Sequence, residues 1–450
     1  MTIKTVNIRN ISLTEGTQLF PQSMTNSNTQ EMDKTVEQAI RIAENGAGMV
    51  RISVPGKEDV KAMRNIVQKI RQRGYDFPVI ADVHFNPEIA EMLVGVVDKI
   101  RINPGNFSEK NRKNFTEISD EEYNIMISQT CDRAKPLIEK CKNHGTAIRV
   151  GVNQGSLSQR MVFRYGHTPQ ALAQSALEWI GICESLDFAN VVFSLKASNA
   201  HTMTEANKLF MEEMKKRGTV YPLHIGVTEA GYGLDGRVKS AVGIGALLLD
   251  GIGSTIRVSL TESPEKEIPF AQHLIDIASS HYQNHYRIQD DVLYCHHTMD
   301  NQEKWIAEVG AISGYEHFRH TLKGVSIENP CFSARQNQEL VTAVEQACGI
   351  RIRKTEIISC PTCSRTDYDI EKVIQIMDSR FSHYPGLKIG VMGCIVNGPG
   401  EMLDTDFGIV GAKDNKVAVY QGKNRISSII SLEEGISLLE KVILAYLDNR

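Results

Sequence analysis

The residues best able to do chemistry in this 450-residue chain fall into two groups, one rich in sulfur and one rich in cations. Cys360 and Cys363 are spaced Cys-Pro-Thr-Cys directly after the apolar run EII, and Cys394 follows the apolar run of a later segment. Three thiolates carried on two strand ends can converge on one centre. The loop NGPGE, just past Cys394, is rich enough in glycine to bring the Glu401 carboxylate back toward it. Three soft sulfur donors and one hard, exchangeable oxygen suit a [4Fe–4S] cube with one iron open to a substrate. A zinc half-site uses the same Cys-x2-Cys spacing, and a redox dithiol or plain structural thiols fit it too, so spacing alone leaves these readings open. Cys131, Cys141, Cys183 and Cys348 fall within or beside helical patterns and read as small buried hydrophobes. The run Cys295-His296-His297 lies in a polar stretch and reads as solvated rather than as a metal site.

The cationic group is spread over the first 270 residues. Arg51, Asp82 with His84, Arg101 with Asn103, Arg149 with Asn153, Lys196, Thr228 with Glu229, and Arg257 with Ser259 each stand at or near the end of an apolar run. A spacing of two puts Asp82 with His84, Arg101 with Asn103, and Arg257 with Ser259 on common faces of their strands. Four arginines and a lysine converging on one opening repel one another unless an anion compensates them. Phosphate is the simple resolution, because a guanidinium matches it with paired N–H donors. Glu229 and Asp82 are the acid–base or hydroxyl-holding candidates, with structural pairing to the arginines as the competing role. The glycine-flanked turns RINPGN, VGVNQGS and EAGYG can bring backbone N–H groups to the same anion.

The elements that must position these residues follow a rhythm. Candidate strands are 18–24, 49–54, 77–83, 99–103, 147–152, 190–197, 222–228 and 255–260, with amphipathic helices between them. Helices over 31–45 and 59–73 stop at Gly46 and Gly74; Thr168-Pro169 is a helix start, and Thr202 with Glu205 has capping-box spacing. Strand then helix, eight times over about 250 residues, predicts an α/β chain built on a TIM (β/α)8 barrel, whose chemistry sits at the C-terminal ends of the strands. An open doubly wound sheet would show a GxGxxG first turn, and none follows the early strands. The expected organisation is a substrate-binding barrel over 1–271, an inserted segment of uncertain fold over 272–347, and a smaller α+β domain over 348–450 that carries Cys360, Cys363 and Cys394 and, on the iron–sulfur reading, the cluster.

A net charge of -4 without a basic stripe argues against a nucleic-acid partner. No signal-peptide run opens the sequence and no run of 18 apolar residues occurs, so a membrane location is not expected. Nine cysteines in a chain of this size favour reduced thiols and a cytoplasmic setting.

The motifs PQSMTN (21–26), ADVHFNP (81–87), KIRINPGN (99–106), RVGVNQGSL (149–157), SLKAS (194–198), HIGVTEAGYG (224–233), STIRVSLT (254–261), SCPTCSRT (359–366) and GCIVNGPGEM (393–402) resemble, in this order, those of the 4-hydroxy-3-methylbut-2-enyl diphosphate synthase family. These are oxidoreductases of the methylerythritol phosphate route to isoprenoids. The resemblance implies reductive opening of 2-C-methyl-D-erythritol 2,4-cyclodiphosphate with two electrons, ferredoxin or flavodoxin as donor, and a homodimer. It implies a [4Fe–4S] cluster on Cys360, Cys363, Cys394 and Glu401, and substrate contacts from Arg51, Asp82, His84, Arg101, Asn103, Arg149, Asn153, Lys196, Glu229, Arg257 and Ser259. The stretches RKTEIISC and GPGEMLDTDFG look like the long form of the family. The 272–347 insertion, however, is too short for the second barrel of that form, which needs about 200 residues or more. A barrel aldolase or phosphosugar isomerase with a structural zinc domain is the alternative that the residues alone allow.

Overall fold

The computed structural model describes residues 1–83, 86–108, 117–279, 286–366, 368–396 and 398–448. Eight strands, β1 (Phe20–Met24), β2 (Met49–Ser53), β3 (Val79–Asp82), β4 (Lys99–Ile102), β5 (Ala147–Asn153), β6 (Val191–Lys196), β7 (His224–Ile225) and β8 (Thr255–Ile256), make one parallel sheet. β8 pairs back onto β1, and Phe193 of β6 bridges Leu223 just ahead of β7, so the sheet curls into a barrel. Each strand lies inside a segment expected from the sequence, except that β5 runs one residue further, to Asn153. β7 and β8 are short because the chain leaves the regular ladder after Ile225 and Ile256 to present residues 226–229 and 257–259 at the barrel mouth. Backbone bonds from Arg257 N to Ile225 O and from Thr228 N to Ala197 O, both 3.0 Å, hold that irregular edge.

The helices between strands begin and end as their sequences direct. Thr168 caps helix Pro169–Ser185 by accepting from Ala171 N at 3.2 Å. The Thr202–Glu205 capping box does not form. Asn199 takes the cap instead, its Oδ1 accepting from Thr202 N at 2.9 Å, which places Thr202 inside the first turn of helix Ala200–Lys216. An asparagine three residues upstream satisfies the same orphan donor, so the helix starts earlier.

The bottom of the barrel is stoppered. The hairpin Thr5–Ile8/Ile11–Thr14 lays Val6, Ile8 and Leu13 against Met49, Ile80, Ala147 and Val192. Behind it the buried Glu15 carboxylate accepts from Leu223 N at 2.9 Å, from Ser254 Oγ at 2.6 Å, and from Gly253 N.

The segment after the barrel is more ordered than its composition suggests. Helix Glu267–Ser279 is followed by β9 (Arg287–Gln289), β10 (Val292–His296), helix Gln302–His320, β11 (Gly324–Glu328) and helix Ala334–Cys348. Its three strands form a small mixed sheet. Its apolar side chains, Leu293, Trp305, Ile312 and Val344 among them, belong to the same continuous core as the barrel. His296 and His297 lie beside Glu328 and Glu308 respectively. Cys141, Cys183, Cys295 and Cys348 are buried, and Cys131 is half-buried.

The C-terminal domain has its own core. β12 (Glu356–Ser359), β13 (Lys388–Met392) and β14 (Phe407–Ala412) run parallel, and β15 (Lys416–Gln421) returns antiparallel. Helices Ile370–Phe381 and Leu432–Leu447 cover the sheet through Val373, Ile374, Met377, Leu439 and Ile443. Ser431 and Glu434 form a capping box at the start of the last helix. Among the described residues no helix is long and apolar enough to cross a membrane.

Candidate active site

The barrel delivers its cations to one place because alternate residues of each strand point inward and the last of them reach the mouth. Arg51, Arg101, Arg149, Asn153, Lys196, Arg257 and Ser259 all line a single cavity together with Asp82, Thr228 and Glu229. Arg101 Nη1 stands 3.3 Å from Asp82 Oδ1, and its Nη2 donates to Gly151 O at 3.2 Å. Arg257 reaches Glu267 through Nε and Nη2, both at 3.3 Å. Arg149 donates to Ser194 Oγ at 3.3 Å, and Arg51 Nε faces Met24 Sδ at 3.2 Å. Among the described residues no carboxylate pairs with Arg51, Arg149 or Lys196. Each is more than nine-tenths buried.

Three buried cations without a paired carboxylate are expensive to hold. Burial, with Arg257 and Arg101 adding to it and Asp82 opposing it, pushes Arg51 down to about 10. Burial likewise takes Lys196 well below the usual amine range, with Arg149, Arg51 and Arg257 adding to it. An anion of two or more charges would reverse both effects.

Glu229 is the conspicuous acid. Its backbone has φ +47°, a left-handed conformation rarely held by a residue with a side chain. Its Oε2 is buried with no hydrogen-bond partner among the described residues. Burial raises the carboxyl to about 7, against the pull of Lys196 and Arg257. Asn103, by contrast, is used internally: its Nδ2 donates to Ser156 Oγ at 2.8 Å and its Oδ1 accepts from Gly105 N at 3.1 Å, which sets it behind the cavity wall. His84 lies outside the described residues.

The other half of the cavity wall comes from the C-terminal domain of the same chain: Cys360, Pro361, Thr362, Cys363, Arg365, Met392, Cys394, Val396 and Gly398. That domain sits over the mouth of its own barrel, and its contacts run around the rim. Asn26, beyond β1, donates to Thr362 Oγ at 3.0 Å. Thr261, beyond β8, bonds Ser359 Oγ at 2.7 Å and Cys360 O at 3.0 Å. Ser198, beyond β6, donates to Asp404 at 2.6 Å. Lys239 and Asp235, on helix Gly233–Ser240, pair with Glu356 at 2.6 Å and Lys354 at 2.5 Å. Beyond β5, Gly155 and Gly400 touch backbone to backbone: a Cβ on Gly400 would lie 1.8 Å from Gly155 O. The linker into the domain is tethered by Glu345, on the last helix of the insertion, which pairs with Arg351 at 3.5 Å and Arg353 at 3.2 Å.

The three cysteines are half-exposed and face the cavity from two strand ends, as their spacing implies. Cys360 Sγ accepts from Gly393 N at 3.1 Å. Cys363 and Cys394 share a hydrogen bond that, with Arg365 nearby, holds Cys363 down at about 5 and raises Cys394. Burial raises Cys360. Glu401 is 3% exposed, and burial, then Glu229 and Asp404, push its carboxyl well above the usual range. Three thiols and a carboxyl, mostly forced toward their protonated forms by burial, fit a multivalent cationic centre that would take them as anions. Among the described residues no three His, Cys, Asp or Glu side chains are close enough to share one metal ion.

Sequence reasoning did not single out Met24, Thr362, Met392, Val396 or Arg365 for the wall, or Glu267 as the anchor of Arg257. Arg365 stood inside the SCPTCSRT motif, two residues past Cys363. Glu267 gave no signal, since it begins the helix after β8.

A barrel whose cationic mouth is roofed by a thiol-bearing domain defines a class. Residues 3–272 match the GcpE TIM-barrel domain and residues 356–444 match the GcpE protein C-terminal domain, and the chain belongs to this family. A 4-hydroxy-3-methylbut-2-en-1-yl diphosphate synthase (ferredoxin) of Parasynechococcus marenigrum is 37% identical, the alignment covering 98% of this chain and 93% of that one. A 4-hydroxy-3-methylbut-2-en-1-yl diphosphate synthase (flavodoxin) of Bacteroides thetaiotaomicron is 33% identical over 97% of this chain and 96% of its own. The first alignment runs over 442 positions and the second over 591, so the second relative carries a much larger insertion.

Proposed function

We propose that the chain is a 4-hydroxy-3-methylbut-2-enyl diphosphate synthase that opens and reductively dehydroxylates 2-C-methyl-D-erythritol 2,4-cyclodiphosphate, using two electrons passed through a [4Fe–4S] cluster on Cys360, Cys363, Cys394 and Glu401. The observation that carries this reading is that one cavity joins three carboxylate-free cations to three cysteines. An aldolase or isomerase with a structural zinc would have no use for thiols in the wall of its anion pocket.

Arg51, Arg149 and Lys196 bind the diphosphate, and Arg101 and Arg257 reach it while held in orientation by Asp82 and Glu267. Glu229, its carboxyl raised by burial, faces Lys196 and protonates the hydroxyl that leaves. When bound, the cluster supplies electrons and Lewis acidity at the thiol side of the cavity. Rim contacts narrow the opening of the anion pocket, and the burial of its arginines strengthens the electrostatics there. Ferredoxin or flavodoxin, named in the two relatives, delivers the electrons, and a reducing cytoplasm keeps the thiols free. Because the roof belongs to the same chain as the barrel, the homodimer implied by the resemblance would pair two complete sites.

Anaerobic turnover of the cyclodiphosphate with a chemical reductant tests the proposal, with iron and sulfide measured on the same samples. Wild type should contain both and turn over, while Cys394→Ser should lose the cluster and the activity. Equal rates in a cluster-free Cys394→Ser protein would end this reading.

A further inference from the structure

Arg365 is the one charged side chain that the C-terminal domain adds to the described cavity wall, and none of the steps above uses it. It stands two residues beyond Cys363, lines the same cavity, and its charge faces the Cys363 sulfur. Its Nη2 lies 3.6 Å from Asp82 Oδ2, at the end of β3, while the other oxygen of Asp82 meets Arg101 at 3.3 Å. The Arg365 and Asp82 side chains are 11% and 3% exposed. At that depth an ion without a partner is costly, and Arg365 meets its carboxylate only when the two domains are together.

We propose that Arg365 is a positioning residue that latches the C-terminal domain to its own barrel, joining the Cys363 end of the thiol group to the Asp82 end of the cation pocket at a fixed spacing. A guanidinium can address a sulfur on one edge and a carboxylate on the other, whereas an ammonium is a single point of charge. Asn26 and Thr261 also hold the thiol loop, at Thr362 and Cys360, but they stand outside the cavity wall, and contacts such as Ser198 with Asp404 or Lys239 with Glu356 lie farther out. Arg365 meets a carboxylate that lines the anion pocket itself. The kinetic consequence rests on the proposed cluster function; the latch itself does not.

The experiment compares wild type, Arg365→Gln, Arg365→Lys, Asp82→Asn and the double variant Arg365→Gln/Asp82→Asn, each as cluster-loaded full-length protein without substrate. Hydrogen exchange is followed in the rim segments 154–158 and 398–404, alongside iron, sulfide, kcat and KM. Arg365→Gln should keep iron and sulfide yet exchange at the rim roughly tenfold faster. Its kcat should fall roughly 100-fold with KM little changed, since the parts remain but their spacing drifts. Arg365→Lys should recover part of the protection, and Asp82→Asn should add nothing to the exchange of Arg365→Gln. Wild-type rim exchange in Arg365→Gln would overturn the latch, as would loss of iron with an unchanged rim. Wild-type protein free of iron would instead defeat the cluster function and leave the exchange comparison intact.

Discussion

Replacing Gly155 by alanine tests whether the barrel mouth must close tightly for turnover. The backbone at Gly155 does not have a positive φ, so alanine introduces no local strain. The added methyl would stand 2.7 Å from Glu401 Oε1 and 2.9 Å from the carbonyl carbon of Gly400. Comfortable contact begins near about 3.5 Å, so the two domains must separate there by about 0.7 Å. Overpacking of this kind costs about 1–3 kcal/mol. Here the strain lies between two domains, and parting them relieves it without unfolding either one. The same energy then appears as a roughly 5–150-fold loss of the closed population, and kcat should fall by about that factor. The assay is anaerobic turnover with iron content, thermal melting and rim hydrogen exchange measured in parallel. The methyl also presses on the Glu401 carboxylate, a proposed cluster ligand, so kcat is expressed per cluster, which separates loss of closure from loss of iron. Gly181→Ala, on a helix where a Cβ meets nothing within 4 Å, is the control and should behave as wild type. Cluster-loaded Gly155→Ala protein turning over at the wild-type rate would refute the reasoning.

Four further outcomes are expected. Lys196→Met should weaken binding of inorganic diphosphate, read by calorimetry, by about 2 kcal/mol or roughly 30-fold, the cost of one charge-assisted contact. Glu229→Gln should lower kcat by about 10²–10⁴; because the wild-type acid is raised to about 7 and donates only when protonated, wild-type kcat should fall above that pH while the variant's profile stays flat on that side. Glu267→Gln should free Arg257 from its two-point hold and raise KM by about tenfold, with kcat less affected. For Glu356, burial alone would raise the carboxyl, but Lys239 and Lys388 more than offset it and leave it below its ordinary value. The stabilisation from that pair is therefore fully present above the usual glutamate range near about 4.3 and is lost as the pH falls below it. Rim exchange in wild type should accelerate in that acid window, and Lys239→Ala should show the faster rate already at neutral pH.

The barrel was legible because a parallel strand buried on both faces writes itself as a β-branched run, and because its chemistry must stand where the run ends. Arg51, Arg149, Lys196 and Arg257 were found that way. Asn103 sat at an equivalent position, and only its partners Ser156 and Gly105 show that it braces a loop. The insertion was opaque for a different reason. Helix Gln302–His320 is buried on several sides through Ala307, Gly310, Ala311 and Gly314, so it lacks the one-sided apolar stripe by which a helix is recognised. The cysteines declared their convergence through spacing. Arg365 declared nothing, because the importance of a charge near a metal-type motif depends on what another domain places opposite it.

The hairpin and Glu15 beneath the barrel bear on traffic as well as on stability. With that end plugged, the pocket has no back door among the described residues, and traffic runs on the side where Thr261, Ser198 and Gly155 meet their partners. A charged reactant and a charged product then share that one doorway in each catalytic cycle. A turnover number set by that doorway would slow in proportion to solvent viscosity, while a rate set by electron arrival would respond to the concentration of the donor instead.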